Sequence, residues 1–184
     1  EVKVKKMAVV LHLYYQDLWE EFRDYLRNIT IDFDLYVTLT EGSSTIGQEE
    51  WLINQIKKDF DGADVTVLPN KGTDIGPFIL TLDKIKDDNY DYVMKMHTKK
   101  SLKTAGKDDG LQWRNQLLYP LLESKEKFID NITKLEQKNV GMIGASRWVT
   151  NDLANNRTTI DYYNKKMGIK KNANLDRKST RLNS

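Results

Sequence analysis

A parallel β-sheet with helices on both faces is the architecture this sequence predicts, and three observations predict it. Short apolar runs of strand length alternate along the chain with stretches of helical periodicity, the signature of repeated β-α-β units. The first of these runs is continuously apolar, as a strand covered on both sides must be. Polar, cationic and glycine-rich residues collect just past the runs, where an open parallel sheet gathers its ligand-binding loops.

Taken in order, 7–14 (Met-Ala-Val-Val-Leu-His-Leu-Tyr) is the first strand. Asp17 is expected to cap the following helix, with Glu20 in capping-box position. Leu18, Phe22, Tyr25, Leu26 and Ile29 give that helix a core-facing stripe. The second strand is 33–39 (Phe-Asp-Leu-Tyr-Val-Thr-Leu). A helix starting within 43–45 places Trp51, Leu52, Ile56 and Phe60 on its apolar side. The third strand, 63–68, is stopped by Pro69.

Gly76-Pro77 marks the next helix start, with Phe78, Leu82 and Ile85 inward. The run 90–97 is the fourth strand, and 101–110 a polar loop expected to order on binding a ligand. A helix from about Leu111 carries Trp113, Leu117 and Leu118, and Pro120 is expected to end or kink it. Ser124 caps a helix with Phe128, Ile129, Ile132 and Leu135 inward. Then 140–145 reads as a short fifth strand and 152–167 as weakly amphipathic. The sum is a mostly parallel, Rossmann-like α/β sheet in one domain over 1–175. The stretch 176–184 lacks periodicity and reads as a disordered or non-native tail, and a start at Glu1 without methionine predicts a piece of a longer protein.

Composition narrows the function. The 184 residues, 39% apolar, suffice for a substantial core. Charge is abundant but balanced, at +2 net, which disfavours a nucleic-acid binder or a polybasic membrane protein. No apolar run is long enough to span a bilayer, and no signal peptide is visible. Cysteine is absent and only His12 and His97 occur, so disulfides and thiolate chemistry are excluded and a structural zinc is not expected. The Asn-x-Thr sequons at Asn28, Asn131 and Asn156 read as chance matches without a secretory signal. Neither a Walker loop nor a Gly-x-Ser-x-Gly elbow occurs.

The candidate chemistry lies past the strand ends: His12, Tyr14 and Tyr15, then Thr38 and Thr40, then Asn70, Lys71, Thr73 and Asp74, then 97–101, and finally Ser146, Arg147 and Trp148. Two stretches dominate. The run 90–101 (Tyr-Asp-Tyr-Val-Met-Lys-Met-His-Thr-Lys-Lys-Ser) is a strand that ends in cations. The run 70–78 (Asn-Lys-Gly-Thr-Asp-Ile-Gly-Pro-Phe) joins two glycines to a helix start. By spacing alone the second reads equally as a turn needing glycine for geometry or as a diphosphate cradle. Lys95, on a covered strand, either snorkels, pairs with an interior acid, or faces a ligand with His97 and Lys99. His12 within an apolar run reads first as a hydrogen-bonded core histidine, and Lys99-Lys100 by themselves as a solvated pair.

Together, 9–19, 33–38, 69–78, 90–101 and Trp113-Arg114 resemble the rhamnan synthesis protein F family, with the motifs in the family's order over roughly 7–150. The resemblance implies a GT-A-like glycosyltransferase of bacterial cell-surface polysaccharide (rhamnan or O-antigen) synthesis. It implies transfer of rhamnose or a related sugar from a nucleotide-diphosphate donor, dTDP-rhamnose being favoured, to a growing glycan or lipid-linked acceptor. It places the protein in the cytoplasm, at the inner face of the plasma membrane beside other assembly enzymes. Where many GT-A enzymes carry an Asp-x-Asp metal motif, this chain has Lys95 to Lys100. No cofactor is expected, and lysines in place of a divalent metal are expected on the diphosphate. Asp74 and His97 are then the catalytic candidates. His12, Tyr14, Tyr15, Thr38, Asn70, Gly72, Gly76, Lys95, Lys99, Lys100 and Ser101 are the donor-binding ones. The alternative is a non-catalytic module binding nucleotide sugar or glycan.

Overall fold

The computed structural model describes residues 5–100 and 109–146, together with Thr158 and Lys165. Glu1–Ile143 form one compact unit and Gly144–Ser184 another. The elements of the first unit are β1 (Met7–His12), a 3₁₀ turn (Gln16–Leu18), α1 (Trp19–Leu26), β2 (Phe33–Thr40), α2 (Ile46–Asp59), β3 (Asp64–Leu68), α3 (Ile75–Ile85), β4 (Tyr92–His97), α4 (Asp109–Leu122) and α5 (Lys125–Leu135).

The four strands form an all-parallel sheet in the order β3-β2-β1-β4. This is the α/β, Rossmann-like architecture the alternation predicts. Strand β1 is central and wholly buried. Its Met7, Val9 and Leu11 face one side, where Trp19, Phe22 and Leu26 of α1, Leu52 and Ile56 of α2, Leu118 and Leu122 of α4, and Phe128 of α5 complete the main core. Ala8 and Val10 face the other side, against Ile85, Phe78 and Leu82 of α3. Helix α3 is thus the crossover that reverses the direction of strand addition, and β1 and β4 flank the switch point.

Local chemistry explains most boundaries. Thr45 and Gln48 form a reciprocal capping box at α2, and Ser124 accepts from the Lys127 amide at α5. Asp17 does not cap α1. It lies inside the 3₁₀ turn, the residue before α1 makes no side-chain cap, and the Asp17 carboxylate is taken by Lys100. Pro120 does not end α4 either; the helix runs two residues further. The side-chain amide of Asn131 donates to the carbonyls of Pro120 (2.8 Å) and Leu121 (3.2 Å), and that of Asn28 to Leu122 (2.8 Å). These bonds satisfy carbonyls at a helix end, and they use two of the three sequon asparagines.

Three further expectations fail. Trp51 is 61% exposed and Ile129 52% exposed: each sits one position off the buried line of its helix, beside Leu52 and Phe128. The stretch 140–145 forms no strand. Helices α4 and α5 pack on the α1 face, so a parallel partner beyond β4 would require a left-handed crossover, which sheets avoid. Val140, Met142 and Ile143 pass the free edge of β4 across a groove of about 590 Å³ instead, with Phe128 and Ile132 on one wall and Phe78 on another. Residues 101–108, 147–157 and 166–184, the Trp113 side chain, and most of 152–167 lie outside the described residues, and with them the expectations placed on Ser101, Arg147, Trp148, the 101–110 loop and the tail.

Candidate functional site

The register puts His97, His12, Thr38 and Thr66 in one row across β4, β1, β2 and β3 on the α3 face, with His97 and His12 at the C-terminal ends of their strands. In open parallel sheets ligands bind outside such ends at the switch point. His12 and His97 are its two sides, joined beyond the ladder by the Thr98 amide donating to the His12 carbonyl at 3.0 Å.

His12 is buried, with Nδ1 2.9 Å from the Thr38 hydroxyl, so it is a hydrogen-bonded core histidine whose ring forms the floor of the edge. Lys95, one pleat before His97, reaches across α3's start: its ammonium donates to Asp74 Oδ2 at 2.5 Å and lies 5.7 Å from the Phe78 ring centroid. Of the possibilities open for Lys95, pairing with an acid is the one realised. His97 Nδ1 stands 3.5 Å from the Lys95 ammonium and 3.6 Å from Asp74 Oδ2. Asp74, Lys95, His97 and His12 therefore form one cluster around a central ion pair.

Burial is the main cause that pushes the His97 imidazole below its ordinary value, Lys95 adds to it, and Asp74 opposes it. Burial does the same to His12, again against Asp74 and with Lys95. For Asp74, burial pushes the carboxyl up, but the Lys95 hydrogen bond and the nearby His97 together hold it below the usual carboxylate range. Both rings are therefore neutral at neutral pH, and Asp74 is ionised.

These shifts fix the sign of the protein's pH-dependent stability. Because both imidazoles titrate below 6.5 in the folded chain, the unfolded chain takes up more protons as pH falls through that value, and stability falls with it. Asp74 adds a second loss at lower pH, as protonation proceeds from the unfolded value of 3.8 down through its depressed folded one. The melting temperature should drop between about pH 7.5 and about pH 5.5, and a His12→Gln, His97→Gln double variant should lose most of that slope. Equal slopes in the two proteins would rule out the histidines as its source.

The other cations differ in commitment. Lys100 pairs with Asp17 and lies over the Tyr15 ring at 5.6 Å. Lys99 is exposed and has no ion-pair partner among the described residues. Tyr14 and Tyr15 meet edge-on at 5.0 Å, and the Tyr15 amide donates to the Thr98 hydroxyl at 3.0 Å. Thr98, buried between β1 and this turn, belongs to the 97–101 run singled out in the sequence, and its part as a structural tie had no local signal there.

In the 70–78 turn, Gly72 has φ +75° and Thr73 φ +52°. A Cβ on Gly76 would stand 2.5 Å from the Lys71 carbonyl oxygen, and one on Gly72 2.9 Å from Gly76 Cα. The Gly76 amide donates to the Gly72 carbonyl at 2.8 Å, and Pro77, third in α3 rather than first, has none to offer. Both glycines thus have a geometric reason in the turn itself. Asn70 is exposed next to it. Arg114, whose role sequence reasoning also missed, is buried and bound to Glu21 and to the Lys99 carbonyl. It stands four and eight residues before Leu118 and Leu122, a charge on the apolar stripe. Among the described residues no three His, Asp or Glu side chains gather to hold a metal ion, and the Asp74 carboxylate holds the Lys95 ammonium.

Fold and site together define a Rossmann-like α/β protein with Lys95, Asp74 and a pair of histidines clustered at the switch-point edge of its sheet. The chain belongs to the rhamnan synthesis protein F family, whose model matches residues 1–184. It is also 30% identical over 122 residues to the uncharacterized protein WxcX of two Xanthomonas campestris pv. campestris strains, B100 and ATCC 33913. That alignment covers 66% of this chain but 16% of each relative's length. No solved structure matches.

Proposed function

We propose that the switch-point edge of the sheet binds the diphosphate of a nucleotide sugar, with dTDP-rhamnose the favoured donor. The protein then transfers rhamnose or a related sugar to a growing glycan or lipid-linked acceptor at the cytoplasmic side of the membrane. In this reading the Rossmann-like sheet is the nucleotide half of a GT-A-like transferase. The observation that supports it most is the meeting of Lys95, His97 and His12 at the edge where a parallel sheet binds ligands, followed along the chain by the exposed Lys99, which has no ion-pair partner among the described residues.

In the transfer, the bond between the sugar's anomeric carbon and the diphosphate oxygen breaks while the acceptor oxygen bonds to that carbon. The leaving diphosphate gains negative charge, which fixed ammonium groups stabilise without reorganising. The acceptor's proton passes to His97, neutral and thus able to accept it, and Asp74 favours the resulting imidazolium. Asp74 itself is the poorer base, because its carboxyl is depressed and its oxygen already holds Lys95. His12 with Thr38, and Tyr14 with Tyr15, border the space left for ribose and base.

Lys99→Ala is expected to weaken dTDP-rhamnose binding roughly 10- to 100-fold, the worth of one hydrogen bond to a charged group. Lys100→Ala should do less, since Asp17 already neutralises Lys100. Calorimetric titration checks both, and an unchanged affinity in Lys99→Ala would remove the diphosphate from this edge. Binding without any hydrolysis or transfer would favour a non-catalytic binding module.

A further inference from the structure

We propose that Arg114 is a positioning residue that clamps the backbone where β4 runs out, so that Lys99 is held at the switch-point edge; its purpose rests on the donor-site reading. Arg114 is 5% exposed. Its Nε and Nη2 donate to the two carboxylate oxygens of Glu21 at 3.0 and 3.1 Å, and its Nη1 donates to the Lys99 carbonyl at 2.8 Å. One edge of the guanidinium is thus fixed on α1, and the remaining side holds a carbonyl that belongs to no sheet ladder.

The neighbouring bonds show what the clamp completes. Thr98 is tied to β1 through the His12 carbonyl and to the turn after β1 through the Tyr15 amide. Lys100 is tied through its ammonium to Asp17. Asp17 and Glu21 are one helical turn apart, so one short stretch of chain anchors Lys100 directly and Lys99 through Arg114. Each of residues 98, 99 and 100 is held by a different group, and the ammonium of Lys99 is left for a ligand.

Stability alone does not account for an arginine here. A buried Arg–carboxylate pair rarely outperforms apolar packing, and Leu118 and Leu122 show that this stripe of α4 accepts apolar side chains. What an apolar residue lacks is the third donor. Lysine lacks the planar fork that grips a carboxylate with two nitrogens and still presents another N–H elsewhere.

The test is amide hydrogen exchange on the intact protein, paired with dTDP titration and steady-state kinetics, for Arg114→Met, Arg114→Lys and Glu21→Gln. Arg114→Met retains volume and packing, and Arg114→Lys retains charge. All three should accelerate exchange of the Thr98 amide, which donates to the His12 carbonyl, by about tenfold or more while 7–12 and 33–40 stay protected as in wild type. The dissociation constant for dTDP should rise about tenfold with kcat changed less than about twofold. Unchanged exchange of the Thr98 amide in Arg114→Lys and Arg114→Met overturns the clamp, as does loss of protection spread evenly over the sheet. Wild-type protein that takes up no dTDP overturns the donor reading, and with it the clamp's purpose, whatever the exchange shows.

Discussion

Replacing His97 with glutamine is expected to lower turnover of donor and acceptor by about 10²- to 10⁴-fold, the usual contribution of a positioned general base. Donor affinity should stay within about twofold of wild type, because glutamine is similar in size and no charge is lost from a neutral ring. The reason lies in the cluster's electrostatics. Burial and Lys95 keep the imidazole unprotonated, while Asp74 at 3.6 Å waits for the positive charge that proton transfer creates. Asp74→Asn should then reduce turnover while strengthening donor binding, since it removes a negative charge from the site and frees the Lys95 ammonium from its only described carboxylate partner. A His97→Gln protein with normal turnover would move the base elsewhere in the chain.

The second large effect concerns folding. Gly76→Ala is expected to cost roughly 2–4 kcal/mol, the range of overpacking and backbone strain, and to lower the melting temperature by roughly 5–15 °C. Its Cβ would meet the Lys71 carbonyl oxygen at 2.5 Å, a backbone atom that cannot swing aside. Gly47→Ala in the first turn of α2 is the control: nothing lies within 4 Å of its Cβ, and alanine is the better helix former by up to about 1 kcal/mol. Thermal denaturation of both variants separates a glycine required by the turn from one required only by a ligand. A Gly76→Ala protein that melts with wild type would favour the ligand.

Most of the fold was legible from local signals, the exposed Trp51 and Ile129 being exceptions. The apolar run at Met7–His12, the stripe Leu18, Phe22, Leu26 and the caps at Thr45 and Ser124 depend on neighbours within a few residues. What was illegible depended on distant partners. Asp17 is as good a cap as Thr45 by residue type, but Lys100, 83 residues away, takes its carboxylate. The stretch 140–145 has strand-like residues, yet a strand needs an edge it can reach with the right handedness, and that was set by the face on which α4 packs. At the site, the His97 and Lys99 run and the Asp74 turn were each visible along the chain. The Lys95–Asp74 bond between them, the histidine pair across β1 and β4, and the Arg114 clamp are products of register and packing.

Lysines at the switch point, in place of a divalent metal, are proposed to hold a nucleotide-sugar diphosphate. Calorimetric titration of dTDP-rhamnose into the intact protein, once in excess EDTA and once in magnesium, decides whether they do. Equal affinity is expected in the two buffers, and weaker binding in Lys99→Ala. Binding that vanishes in EDTA and returns with magnesium, or no binding in either, would show that the lysines do not take the metal's place.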